Sequence, residues 1–90
     1  MSNDPVLRIS VIICAYTENR WDDLKAAVQS VREQTLQPLE IIIVIDHNSN
    51  LSAWAKAQFT DAVVIENQGV RGLSDARNSG IAAAHGEMIA

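Results

Sequence analysis

Glu40-Ile41-Ile42-Ile43-Val44-Ile45-Asp46-His47-Asn48-Ser49 is the stretch whose pattern sets the fold class. Its apolar core is β-branched, shows no polar alternation, and stops abruptly at a carboxylate. A strand with one wet face would alternate with period two. An unbroken run suits a strand covered on both faces, as in a parallel sheet. Residues 9–15 and 62–65 repeat the same short apolar character on either side of it. Between these runs lie helical patterns. Trp21, Leu24, Val28 and Val31 recur at steps of three and four, as do Leu51, Trp54, Ala55 and Phe59. Each set gives one apolar stripe, and the aromatic residues in them read as core rather than as a stacking platform. Gln37-Pro38 is expected to end the first helix and lead into the second strand.

A third helix is expected over residues 74–85, with Ser74 as N-cap, Asp75 at the positive end and Gly86 just past the last turn. Gly80 costs that helix roughly 1 kcal/mol relative to alanine, which points to close packing there. Residues 87–90 read as the opening of a fourth strand. Strand and helix thus alternate three times before that stub. The expected fold is α/β, a doubly wound parallel sheet with right-handed crossovers, Rossmann-like in outline.

The rest of the chain narrows the function classes. At 90 residues it holds one small core and reads as a single domain. A net charge of −4, with both signs interspersed, gives no basic stripe for nucleic acid. No run approaches the roughly 20 apolar residues of a membrane span, and the first residues lack the layout of a signal peptide. A cytoplasmic location is the expectation. The lone Cys14 reads as a small buried hydrophobe. His47, His85 and Cys14 have no metal-ligand spacing, and no nucleophile–base pair is evident.

Ligands of open parallel sheets bind beyond the carboxyl ends of the strands. Tyr16-Thr17-Glu18-Asn19, Asp46-His47-Asn48-Ser49 and the loop from Asn67 to Gly72 fall there. Asp46 suits a ribose hydroxyl or a base N–H, and equally a helix cap or turn. Tyr16 follows a buried strand on the ligand side and suits stacking. Arg77, placed in the first turn of the expected helix, opposes the helix dipole, which suggests an anionic or carbonyl partner; an ion pair with Asp75 or Glu66 is the alternative. The G-x-G-x-x-G of a dinucleotide site is missing after the first strand, where Cys14-Ala15-Tyr16-Thr17-Glu18 stands, and no phosphate-binding P-loop occurs. A receiver-type signalling domain would want an acidic pair where Tyr16-Thr17 stands.

Four blocks, in order, resemble the N-terminal part of the family 2 glycosyltransferases. They are Ile9-Ser10-Val11-Ile12-Ile13-Cys14-Ala15-Tyr16-Thr17-Glu18; Leu24 to Gln34 with Ala27, Ser30 and Val31; Glu40 to Ser49; and Asn67, Gly69, Ala76, Arg77, Asn78, Gly80, Ala84, Gly86, Glu87 and Ile89. One position departs from the pattern: His47 stands where an acid or glycine often follows the strand-two aspartate.

The resemblance implies the GT-A fold and a nucleotide-sugar donor, UDP-linked by preference. It implies that Ala15, Tyr16 and Glu18 line the nucleotide site, that Asp46 accepts from a uracil-like imide N–H, and that Asn67 and Arg77 complete the pocket. The acceptor, whether glycan, lipid or protein, is left open. So is inversion, which is only a family expectation. The family's D-x-D motif, which holds Mg²⁺ or Mn²⁺ against the diphosphate, would come just beyond position 90, as would its catalytic base. The resemblance therefore implies an incomplete sequence or a truncated product, inactive alone, with neither catalytic nor metal-binding residues among these 90. A non-catalytic nucleotide-binding remnant is the alternative.

Overall fold

In the computed structural model of the chain, residues 9–35, 37–67, 73–84 and 88–89 are described. β1 spans Ile9–Ala15 and is followed by a 3-10 turn at Glu18–Arg20 and by α1 at Trp21–Arg32. β2 is Glu40–Asp46, α2 Ser49–Gln58, β3 Val63–Asn67, α3 Leu73–Ala83 and β4 Met88–Ile89. One four-stranded sheet has the order β3-β2-β1-β4, with every neighbouring pair parallel. The α/β reading of the sequence is thus observed, including the stub of a fourth strand beside β1.

The helices divide between the two faces of the sheet. Leu24 and Val28 of α1 and Leu51 and Ala55 of α2 pack with Ile41, Ile43 and Ile45 on one face. On the other face Ile12, Ile42 and Val44 pack with Ala83 at the end of α3. This explains why β2 needs apolar residues at every position: Ile41 through Ile45 are all buried, odd positions under α1 and α2, even positions under α3. Ser10 is the polar member of the buried β1 set, fully buried and donating to Glu40 Oε2 at 2.7 Å across its register pair.

The expected close approach at Gly80 is present. A Cβ there would lie 2.6 Å from Ile12 Cγ2 and 3.0 Å from Val44 Cγ2. The absent side chain lets α3 seat directly on β1 and β2.

Several expectations need correction. β2 and β3 run further than their apolar runs, so Asp46 and Asn67 are last strand residues instead of first loop residues. They are register partners, and Asn67 Nδ2 donates to Asp46 Oδ1 at 2.9 Å, which lets two polar residues finish buried strands. α1 stops at Arg32, well before Pro38. Gln37 reaches back instead, its Nε2 donating to the carbonyls of Arg32 at 2.9 Å and Gln34 at 2.6 Å. Trp54 is not core but 43% exposed, because Leu51, Ala55 and Phe59 complete the buried stripe. Its ring lies edge-on to Trp21 at 5.5 Å and covers it. α3 starts at Leu73, so Ser74 is helical rather than a cap. The expected loop at Gln68–Gly72 and the end of the third helix at His85 and Gly86 lie outside the described residues.

Candidate functional site at the carboxyl edge of the sheet

The parallel register brings three strand ends to one edge. Ala15 pairs with Ile45, and Asp46, one residue on, pairs with Asn67. Tyr16 therefore leaves β1 alongside Asp46. Tyr16 is 57% exposed, so this edge presents an aromatic residue to solvent. Asp46 is the opposite case, with 10% of its side-chain surface accessible.

A chain of directed hydrogen bonds runs through Asp46. An ionised carboxylate only accepts, so the amide of Asn67 turns its Nδ2 toward Asp46 and its Oδ1 away. Ser79 of α3 then donates to that Oδ1 at 3.1 Å. Asn67 is only 2% exposed, so its amide works between β2 and α3. His47 Nε2 stands 3.8 Å from Asp46 Oδ1, an ion pair whenever the imidazole is protonated. Its backbone has φ 52°, the left-handed region, and it is the single non-glycine residue described with positive φ. Where the resemblance leads one to expect glycine or an acid, His47 thus holds a left-handed turn under some strain.

Asn48 ties the loops together. Its Oδ1 caps α2 by accepting from Leu51 N at 3.0 Å, while its Nδ2 donates to Tyr16 O at 3.2 Å and to Glu18 Oε1. Asn50 Nδ2 donates to Glu18 Oε2 at 3.1 Å. The bonds from Asn50 and Asn48 hold the Glu18 carboxyl below its usual range. Glu18 thus fastens the loop after β1 to the start of α2. Sequence reading missed Asn48 and Asn50 in this role; the helix-start position of Asn48 was the available signal.

Arg77 is exposed and lies in the second turn of α3, not the first, because the helix begins at Leu73. The dipole argument for an anionic partner therefore loses its force, as that field fades within one turn. Arg77 makes no salt bridge with Glu66, and the side chain of Asp75, the other expected partner, lies outside what is described. Burial pushes the Cys14 thiol up, the Arg77 charge opposes that shift and the Asp46 charge adds to it. The fields of Arg77 and Asp46 thus both reach the end of β1. Cys14 itself is half-buried and packs with the α3-side core.

A cleft of about 250 Å³ opens beside β1, lined by Ala15, Tyr16 and Thr17 and, across it, by Arg20, Asp23, Leu24 and Ala27 of the 3-10 turn and α1. It takes in Ala15 and Tyr16 but not Glu18, Asp46, Asn67 or Arg77. The six candidates thus fall into a cleft pair, a buried pair in Asp46 and Asn67, a loop clamp in Glu18, and an exposed cation in Arg77. Among the described residues no group of three His, Cys, Asp or Glu could hold a metal ion, and no helix is long and apolar enough to cross a membrane.

The sequence pattern described as Glycosyl transferase family 2 matches residues 10–90. Similar proteins include the glucosyl-dolichyl phosphate glucuronosyltransferase of Haloferax volcanii, 32% identical over 93% of this chain and 28% of its own length. EpsH of Bacillus subtilis, a glycosyltransferase by provisional assignment, is 33% identical over 91% of this chain and 24% of its own. An uncharacterized glycosyltransferase of Nostoc is 35% identical over 93% and 27%. The chain spans about a quarter of the length of these curated relatives. No solved structure matches it.

Proposed function

The chain belongs to glycosyltransferase family 2, and on that premise we propose that it supplies the nucleotide-binding part of an enzyme that transfers a sugar from a UDP-linked donor. The observation that carries this is the edge itself: a buried, oriented Asp46 carboxylate ends β2, and an exposed Tyr16 directly follows β1, the neighbouring parallel strand. A pyrimidine base has a π-face for Tyr16 and, in uracil, an imide N–H for Asp46. Ala15 supports the base from the end of β1. Arg77 supplies positive charge at the same edge for the anionic part of the donor. Asn67 completes the pocket by holding Asp46, and Glu18 by fixing the loop that carries Tyr16.

Sugar transfer, the acceptor and the divalent ion belong in this proposal to the full-length protein. The leaving nucleoside diphosphate gains charge as the glycosidic bond breaks, and Mg²⁺ or Mn²⁺ offsets it. That ion would be held by residues other than these 90. The acceptor is a glycan, lipid or protein reached from the cytoplasmic side.

Equilibrium binding of UDP, GDP and dTDP to the full-length protein tests the reading. A hydrogen bond to a charged group contributes about 1.5–3 kcal/mol, so Asp46→Asn should weaken UDP roughly 10- to 100-fold. Unchanged UDP affinity in a folded Asp46→Asn protein would refute it.

A further inference from the structure

We infer that Ser79 is a positioning residue for nucleobase recognition, acting through Asn67 on Asp46. The inference rests on the proposal that Asp46 reads the base. Ser79 lies on α3, outside the residues whose pattern suggested a nucleotide site, and it falls at an unspecified place between Asn78 and Gly80. Three facts carry it. Asn67 Nδ2 donates to Asp46 Oδ1 at 2.9 Å, so the amide is one of the groups that set the carboxylate plane. Ser79 Oγ donates to the other end of that amide at 3.1 Å, so the amide that the Asp46 carboxylate orients is held at its far end as well. Gly80, the next residue, seats α3 against Ile12 and Val44 with no room for a Cβ, so the helix that carries the hydroxyl is held at a fixed height above the sheet.

Together these make a rigid relay from helix to strand end. A carboxylate that reads a base N–H must hold its lone pairs at a set angle, and a rotating carboxylate loses that discrimination before it loses its charge. Removing the Ser79 hydroxyl takes one restraint from the Asn67 amide, whose bond to Asp46 remains. Asp46 then keeps its charge while its direction is held less firmly. The consequence is a loss of base selectivity more than a loss of fold.

The test uses UDP and CDP, which share ribose and diphosphate but differ at the base edge: uracil offers an imide N–H where cytosine has an acceptor nitrogen. Binding of each is measured by calorimetry on full-length wild type, Ser79→Ala, Ser79→Thr and Asp46→Asn, with a thermal melt of each. Ser79→Ala should weaken UDP about fivefold, the loss of one net hydrogen bond, and narrow the UDP-over-CDP ratio by a similar factor. Ser79→Thr, which keeps the hydroxyl, should restore both. A structural role alone would move the melting temperature but not the ratio. If Asp46→Asn weakens UDP while folded Ser79→Ala keeps the wild-type ratio, the relay is overturned and the base reading stands. If Asp46→Asn changes nothing, both fall. Should Ser79→Ala fail to fold, proton NMR of the wild type decides: the Asn67 side-chain amide protons should exchange slowly, and rapid exchange or free rotation overturns the relay.

Discussion

Replacing Gly80 by alanine is the sharpest single perturbation of this fold, because helix propensity and packing predict opposite signs. On propensity alone the substitution should stabilise α3 by about 1 kcal/mol. The structure places the new Cβ 2.6 Å from Ile12 Cγ2 and 3.0 Å from Val44 Cγ2. Carbon atoms pack comfortably at about 3.5–4.0 Å, so the shortfall is on the order of 1 Å at Ile12 and half that at Val44. Neither methyl can swing aside. Both sit on β-branched carbons with a stiff first torsion, and both side chains are buried. The helix must rise or β1 must bend. Overpacking costs typically about 1–3 kcal/mol, and with two stiff buried side chains struck at once the upper part of that range applies, about 2–3 kcal/mol, which outweighs the propensity gain.

The expected net is a destabilisation of about 1–2 kcal/mol, or a fall in Tm of roughly 4–16 °C for a chain of this size. Circular dichroism melts of wild type, Gly80→Ala and Asn78→Ala measure it. Asn78 is exposed on the same helix, so its alanine variant reports propensity alone and should melt slightly higher than wild type. A Gly80→Ala protein that melts at or above the wild-type temperature would refute the packing argument. The same shift of α3 should lengthen the 3.1 Å bond from Ser79 to Asn67, so UDP affinity should fall alongside stability.

Three further predictions are accessible on the same material. His47→Gly removes a side chain from a left-handed backbone position at φ 52° and should stabilise the fold by up to about 1 kcal/mol, read as a higher urea midpoint; a lower midpoint contradicts the strain. Asn48→Ala deletes the α2 cap and should cost about 1–2 kcal/mol in chemical unfolding, while NMR titration should show the Glu18 carboxyl returning toward the ordinary range. Because the folded Glu18 pKa is depressed, the unfolded chain binds the proton first. Its contribution is therefore present above the ordinary glutamate pKa of about 4.3 and is lost as pH falls through the folded value, and Glu18→Gln should flatten that part of the stability–pH curve.

The sheet was legible in the sequence because its signal is local. Short, mostly β-branched runs at residues 9–15 and 41–45 suit strands covered on both faces, and the stripes from Trp21 and Leu51 suit helices that cover them. Gly80 also announced its own role, since a glycine inside a helix costs stability unless a neighbour needs the space. Trp54 misled because helical spacing gives the stripe but not its width; only packing decides which residue lies on the margin.

The chemistry of the edge divides along the same line. Composition and pattern put Tyr16, Asp46, Asn67 and Arg77 at one end of a parallel sheet, since residues that follow parallel strands must emerge together. No local pattern could say that Asn67 turns inward to Asp46, that Ser79 holds it there, or that Asn48 and Asn50 grip Glu18. These bonds join residues 12 to 32 positions apart, and their direction depends on how high α3 and α2 sit above the strands. Side-chain hydrogen bonds fail over fractions of an ångström, a scale that hydrophobic periodicity does not encode and only the packed structure sets.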